Sequence, residues 1–177
     1  MQWPAAEVRL RPATAADAPR LRKWDREPHV RAATGGEDWA WEVELAHPPA
    51  GIERFIAELA GRPIGFLEIT DPARDATRYW GALPAGVRAL DIWIGEPTAL
   101  GRGFGTQMMR LALARCFADP AVTAVLVDPL VGNQRAHRFY VRLGFRFAAR
   151  RRMGGDDCFI FRLERQDWAQ SSAAAPE

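Results

Sequence analysis

The stretch "GRGFGTQMMRLALARCF", from Gly101 to Phe117, has glycine at positions 101, 103 and 105 and then turns apolar at helical spacing. Glycine lets the backbone take bends closed to other residues and lets a ligand come close to the chain. The start of a helix adds unpaired N–H groups and a partial positive charge. Together these make a site for phosphate. Two familiar phosphate loops do not fit it. A Walker loop needs lysine and Ser or Thr after its last glycine, and "GFGTQM" has no lysine. A dinucleotide fingerprint wants G-x-G-x-x-G near the first strand and an acidic residue about 20 positions on. Here the pattern is G-x-G-x-G in mid-chain, and Asp119 closes a helix instead of a second strand. Two carboxylates flank this region. Asp91 sits among apolar neighbours in "LDIWIGE", and burial would raise its pKa and make it a better base, directly or through a water. Asp128 ends the apolar run "VTAVLVDP", where open α/β sheets place their ligands; a turn-forming role for its "DP" pair is the other reading.

The elements that must hold these residues alternate between strand and helix. Val8 to Arg11 alternates apolar and charged residues as a short strand does. Thr14 is placed to cap the next helix, with Asp17 in its first turn and Leu21 and Trp24 on its buried face. The span 27–49 reads as irregular with a short helix. "FIAELAGRPIGFLEI" is a hairpin with Gly61-Arg62 at its turn, and residues 71–86 form a long loop of the kind that carries function. "RALDIWIGE" is the next strand, followed by the glycine turn, its helix up to Asp119-Pro120, and a buried strand. "NQRAHRFYVRLGF" is a short helix closed by Gly144, and a terminal hairpin turns at Gly154-Gly155. These elements surround one mixed sheet in a single domain, 1–168, with a small polar tail, 169–177, expected to fray.

With 177 residues the chain supports one sizeable core, and its net charge of +2 implies no nucleic-acid surface. Lys23 is its only lysine. Cys116 and Cys158 give neither a disulfide framework nor metal-ligand spacing and read as buried thiols. The first residues lack the apolar core of a signal peptide and no run is long enough to span a bilayer, so the expectation is a cytoplasmic protein.

Strand, glycine turn, helix, strand and then "N-x-x-A-x-x-x-Y-x-x-x-G-F" form an ordered set that resembles the GNAT superfamily of acyl-CoA-dependent N-acyltransferases. The family pattern Q/R-x-x-G-x-G/A is met at Gly103 and Gly105, with Leu100 in place of its Gln or Arg. The resemblance implies an α/β (α+β) fold with a mixed, mostly antiparallel sheet flanked by helices. It implies acetyl-CoA as co-substrate, its pyrophosphate held by Gly101, Arg102, Gly103, Phe104, Gly105 and Thr106. Pantetheine would lie along "LDIWIGE", which the family bulges at that point, and an N–H near Trp93 or Ile94 would face the thioester oxygen. Tyr140 falls where the family has its acid for the departing thiolate, and Asn133 either caps its helix or bonds the pantetheine amides. No metal is implied.

The span 61–144 is similar to the aminoglycoside 6′-N-acetyltransferase branch. That likeness carries over Asp91 as base, Asp128 as a substrate contact, and Glu68, Tyr79 and Trp80 as lining of the substrate cleft. Two departures stand out. "RAATGG" follows His29-Val30 where the branch has a tryptophan pair, so an aromatic wall is missing or rebuilt by Trp39 and Trp41. The terminal hairpin carries Arg150 to Arg152, which would repel a polycation, although Asp156 and Asp157 lie just beyond and Asp156 falls near an acidic contact of the branch. His137 reads as a surface residue. The expected activity is acetyl transfer from acetyl-CoA to a primary amine by direct attack, the acceptor being a small molecule such as an aminoglycoside. Siderophore-linked lysine N-acyltransferases share the architecture but tend to have histidine in place of Asp91, and a non-catalytic acyl-CoA sensor would need neither Asp91 nor Tyr140.

Overall fold

Local chemistry near the N-terminus sets the first elements. In the computed structural model, which describes residues 7–173, strand β1 (Val8–Pro12) leads into a 3₁₀ turn that Thr14 begins. The Thr14 N–H donates to the Asp17 carboxylate at 2.8 Å, and Arg11 holds the same carboxylate at 2.7 Å. Helix α1 (Ala18–Asp25) then buries Leu21 and Trp24 completely. The span expected to be irregular contains two short helices, α2 (Pro28–Thr34) and α3 (Trp41–Ala46). Pro28 starts the first with its preset φ, and Gly35, at φ +73°, ends it in the left-handed region.

Strands β2 (Ile52–Leu59) and β3 (Arg62–Thr70) form the expected hairpin, but its turn lies one residue earlier than the sequence suggested. Ala60 and Gly61 both take positive φ, +49° and +74°, and Arg62 already pairs with Leu59. Two residues in that conformation match the right-handed twist of the flanking strands. Strand β4 (Val87–Ile94) follows the long loop, and α4 (Phe104–Ala118) follows the glycine turn. Then come β5 (Ala124–Val127), α5 (Gln134–Arg142), β6 (Arg146–Met153), β7 (Asp156–Glu164) and α6 (Arg165–Ala173). Helix α6 runs into the stretch from 169 that was expected to fray, and residues 174–177 lie outside the described ones.

The seven strands form one sheet in the order β1-β2-β3-β4-β5-β7-β6, antiparallel except for β4 against β5. That parallel pair is short: Val87, Arg88 and Ala89 face Ala124, Val125 and Leu126, and beyond them the strands part. Among the described residues, β4 therefore pairs only with β3 from Leu90 to Ile94. Its register against β3 runs without a shift from Ala89 to Ile94, so the bulge implied by the family resemblance is not what opens this edge. Divergence from β5 opens it instead.

Period-two alternation gives the sheet two working faces. On one, Phe55, Leu67, Ile69 and Leu90 pack with Val125 and Val127 against Met109, Ala112 and Leu113 of α4. Truncating a fully buried side chain such as Leu113 to Ala would cost about 2–5 kcal/mol. On the other, Ile56, Phe66 and Trp93 pack under α1 to α3 with Trp24 and Trp41. Among the described residues, no helix is long and apolar enough to cross a membrane.

Candidate active site

A cavity of about 820 Å³ opens where β4 and β5 part. The glycine turn forms one end. Gly101 and Gly103 have φ of +71° and +80°, and among the described residues a Cβ on either would meet nothing within 4 Å. Their backbone is thus bent as only glycine bends cheaply, and it faces open space. Gly103 is the N-cap of α4, whose first intrahelical bonds run from Thr106 and Gln107 to its carbonyl at 3.1 and 3.2 Å. The Gly105 amide, ahead of those bonds, has no carbonyl within the helix to reach. These residues, with Phe104 and Thr106, line the cavity. The Arg102 side chain does not join them: it is exposed, and its Nε donates to the Thr98 carbonyl at 2.9 Å.

The open edge of β4 forms the long wall. Gly95 N–H donates to Ile64 O at 2.9 Å, and antiparallel pairs alternate between bonded and non-bonded. Counting back from Gly95, the backbone groups of Trp93 and Asp91 point to β3, while those of Ile92 and Ile94 point to the open side. Of the two N–H groups suggested by sequence, that of Ile94 faces the cavity and that of Trp93 does not; Ile92 supplies a second. His29 reaches the same edge, its Nε2 lying 2.9 Å from the Ile94 carbonyl. Trp93 does line the cavity, and among the described residues its buried indole N–H has no hydrogen-bond partner.

Carboxylates form the far end. Asp91, half-buried on β4, shares it with Asp128 beyond β5, Glu37 between α2 and α3, and Asp156 at the start of β7. Burial first, then the charges of Asp128, Glu68 and Glu37, push the Asp91 carboxyl well above its ordinary value. Burial pushes Asp128 up to about 6, against a hydrogen bond from the Tyr79 hydroxyl at 2.7 Å that favours its charged form. Glu37 is raised by burial and by Asp156. Tyr140 on α5 borders the cavity, 7 % exposed, packed between Phe139, Phe145 and Phe161, and burial together with Asp91 and Asp128 raises its hydroxyl. Asn133 starts α5 as its cap, accepting the Ala136 N–H at 3.1 Å, and also lines the cavity.

Two residues expected in the cleft lie outside it. Glu68 is buried in an ion pair with Arg54 at 2.6 Å, and Trp80 is 5 % exposed, packed with Met153 and Cys158 in a core cluster. Tyr79, its neighbour, faces the cavity alone of the pair. Trp41 is wholly buried, whereas Trp39, stacked on it at 4.9 Å, lines the cavity with its indole N–H unpartnered among the described residues. Arg150 is tied to Asp157 at 3.0 Å, which leaves Asp156 as the hairpin carboxylate in the site. His137 is half-buried, not a surface residue: it bonds the Leu130 carbonyl at 2.9 Å and packs on Phe159. Both cysteines are buried, as expected. Glu37 and His29 had no sequence signal for a place in the site, because each belongs to a segment without periodicity.

This geometry matches known acetyltransferases. The family model "Acetyltransferase (GNAT) domain" matches residues 13–153, and the chain belongs to that family. It is an acetyl-CoA-dependent N-acetyltransferase. The chain is 31% identical over 147 residues to an aminoglycoside N(6′)-acetyltransferase type 1 of Klebsiella pneumoniae, covering 78% of this chain and 73% of that one. It is 29% identical over 145 residues to the lysine N-acyltransferase MbtK of Mycobacterium tuberculosis, with 78% and 68% covered. Among solved structures it superposes with a TM-score of 0.83 on aminoglycoside acetyltransferase AAC(6′)-Ib in complex with coenzyme A and kanamycin, at 26% identity over 94% of this chain and 99% of that one.

Proposed function

We propose that this enzyme acetylates an amino group of an aminoglycoside-like amino sugar, the 6′-amine by analogy with its relatives, and that Asp91 and Tyr140 carry the proton transfers. The observation that supports this most is the cluster of Asp91, Asp128, Glu37 and Asp156 at the end of the cavity away from the glycine turn. A polycationic acceptor would be drawn there, and the thioester would arrive beside the same carboxylates along β4.

Acetyl-CoA supplies the activated acetyl group. The glycine turn and the first amides of α4 bind its pyrophosphate, and the open edge of β4 pairs with its pantetheine arm. The N–H of Ile92 or Ile94 donates to the thioester oxygen as that oxygen gains charge. Asp91, charged, takes the proton that the ammonium must lose before it can attack, directly or through one water. Tyr140, whose raised pKa keeps it protonated, donates to the departing thiolate. Asp128, oriented by the Tyr79 hydroxyl, and Glu37 and Asp156 hold the remaining ammonium groups. Trp39 supplies the aromatic wall that "RAATGG" lacks.

Release of CoA thiol, measured with acetyl-CoA and kanamycin, tobramycin, spermidine or an Nε-hydroxylysine derivative as separate acceptors, tests the reading. Saturable turnover on an aminoglycoside, lost in Asp91→Asn, is expected. Turnover confined to the hydroxylysine derivative, above all with a long-chain acyl-CoA, would move the enzyme to the siderophore-linked class. Tight acetyl-CoA binding with no turnover on any amine would leave an acyl-CoA sensor.

A further inference from the structure

A single row of charged side chains crosses the sheet beneath the acceptor end of the cavity. Arg54 on β2 is the register partner of Glu68 on β3, and Glu68 is the register partner of Asp91 on β4. Register partners project to the same face and lie a few ångströms apart. Glu44, within α3, closes the row from above. The row is fully bonded on its buried side. Arg54 Nε donates to Glu68 Oε2 at 2.6 Å, its Nη2 to Glu44 Oε2 at 2.7 Å and its Nη1 to the Glu44 carbonyl at 2.9 Å. The Thr70 hydroxyl donates to the other Glu68 oxygen at 3.3 Å. The side chains of Arg54 and Glu68 are only 4% and 6% exposed, so water screens them little. Arg54 also lies over the Trp39 ring, 5.8 Å from its centroid, and Trp39 lines the cavity.

Neither Arg54 nor Glu68 borders the cavity, so neither is placed to touch a substrate. A buried ion pair of this kind is often no more stabilising than apolar side chains of the same volume. Its position on the row with Asp91 gives it another use. We propose that Arg54 and Glu68 are positioning residues that set the charge state of Asp91 from behind. Glu68, the nearer member, disfavours a second negative charge on Asp91, and Arg54 limits that effect by pairing with Glu68. The inference rests on the reading of Asp91 as the proton acceptor.

Other groups face Asp91 and stay fixed in the comparison that tests this. They are Asp128 beyond β5, Glu37 after α2, Tyr79 in the long loop, Tyr140 on α5, and Cys158 and Asp156 on β7. The two members of the pair have opposite charge, so their removal must move Asp91 in opposite directions. A purely structural role would not do that.

The experiment follows the Asp91 carboxyl by ¹³C NMR in protein labelled at aspartate, with Asp91→Asn used for assignment, and in parallel the pH profile of kcat/KM for the acceptor that turns over. In Glu68→Gln the Asp91 midpoint and the acid limb are expected to fall by roughly half a pH unit or more. In Arg54→Met they are expected to rise, and Arg54→Lys, which keeps the charge, is expected to restore the native values. Midpoints that stay put, or that move the same way in Glu68→Gln and Arg54→Met, overturn the proposal. Should Arg54→Met fail to fold, Glu68→Gln decides alone, since an unmoved Asp91 midpoint there is sufficient to reject it. The NMR titration needs no acceptor, so it judges the tuning even if Asp91→Asn retains full activity; that result would instead reject Asp91 as the base.

Discussion

Burial acts on Asp91 and Tyr140 in the same direction, raising both, yet serves them differently. In the proposed reaction it would make Asp91 a stronger base and keep Tyr140 an acid. Asp91→Asn is expected to lower kcat by roughly 10²–10⁴-fold while the Kd of acetyl-CoA, measured by calorimetry, stays unchanged. Tyr140→Phe is expected to lower kcat by about 10²-fold and to spare acceptor binding. Asp128 carries a stability consequence as well. Its carboxyl titrates near 6 in the folded chain and at the ordinary 3.8 when unfolded, so between those values the native state holds more protons. Its contribution is therefore greatest below about pH 4 and is lost as pH rises through 6. Asp128→Asn, which keeps an oxygen for Tyr79, is expected to melt increasingly above the wild type from pH 4 to pH 7, as read by circular dichroism. A constant gap in melting temperature across that range would contradict this. The place of Asp91, Asp128 and Tyr140 on the cavity was legible because each stands at a marked point of the pattern: an acid in an apolar strand, the end of a buried run, and the tyrosine of a helix motif. Glu68 and Trp80 were misplaced because period and spacing give no account of which neighbour a side chain meets. Glu68 met Arg54, and Trp80 fell under the terminal hairpin.

At the scale of elements, β4 and the turn after it decide whether the site exists. Gly103→Ala would force a left-handed bend on a residue with a Cβ, at about 1–2 kcal/mol, and would put a methyl group into the open space proposed for the pyrophosphate. Weaker acetyl-CoA binding with little change in kcat at saturation is expected. The end of β4 is held elsewhere, by Trp24. Its indole N–H donates to Glu96 at 3.0 Å, and a Cβ on Gly95 would sit 2.0 Å from its ring. Gly95→Ala is expected to destabilise the fold by displacing α1 from the sheet, visible as a lowered melting temperature and a red-shifted tryptophan emission. A native melt would refute that packing. The order of elements was legible throughout because Gly, Pro and Asx residues punctuate the chain. The hairpin turn slipped by one because Ala60, not a residue typical of positive φ, occupies half of it. The source of the open edge was illegible. Nothing in "LDIWIGE" says that β5 stops following it after Ala89.

For the whole molecule, the sheet is two half-sheets, β1 to β4 and β5-β7-β6, joined by one short parallel seam. Helix α4 spans both, packing on Leu67 and Leu90 of one half and on Val125 and Val127 of the other. A ligand lodged in the gap adds to that join. Acetyl-CoA at 100 times its Kd is expected to stabilise the fold by about 2.7 kcal/mol, which for a chain of this size raises the melting temperature by roughly 5–10 °C. Desulfo-CoA should do nearly as well if the turn and strand edge provide the binding. The same seam writes an alternating code into the time domain. Along β4 the amides of Asp91 and Trp93 are locked in the ladder with β3, while those of Ile92 and Ile94 look into the gap. Deuterium should therefore enter every second amide of this strand quickly in the free enzyme. Once acetyl-CoA is bound, the fast amides should slow to the pace of their neighbours, and the strand should exchange as though it lay in mid-sheet.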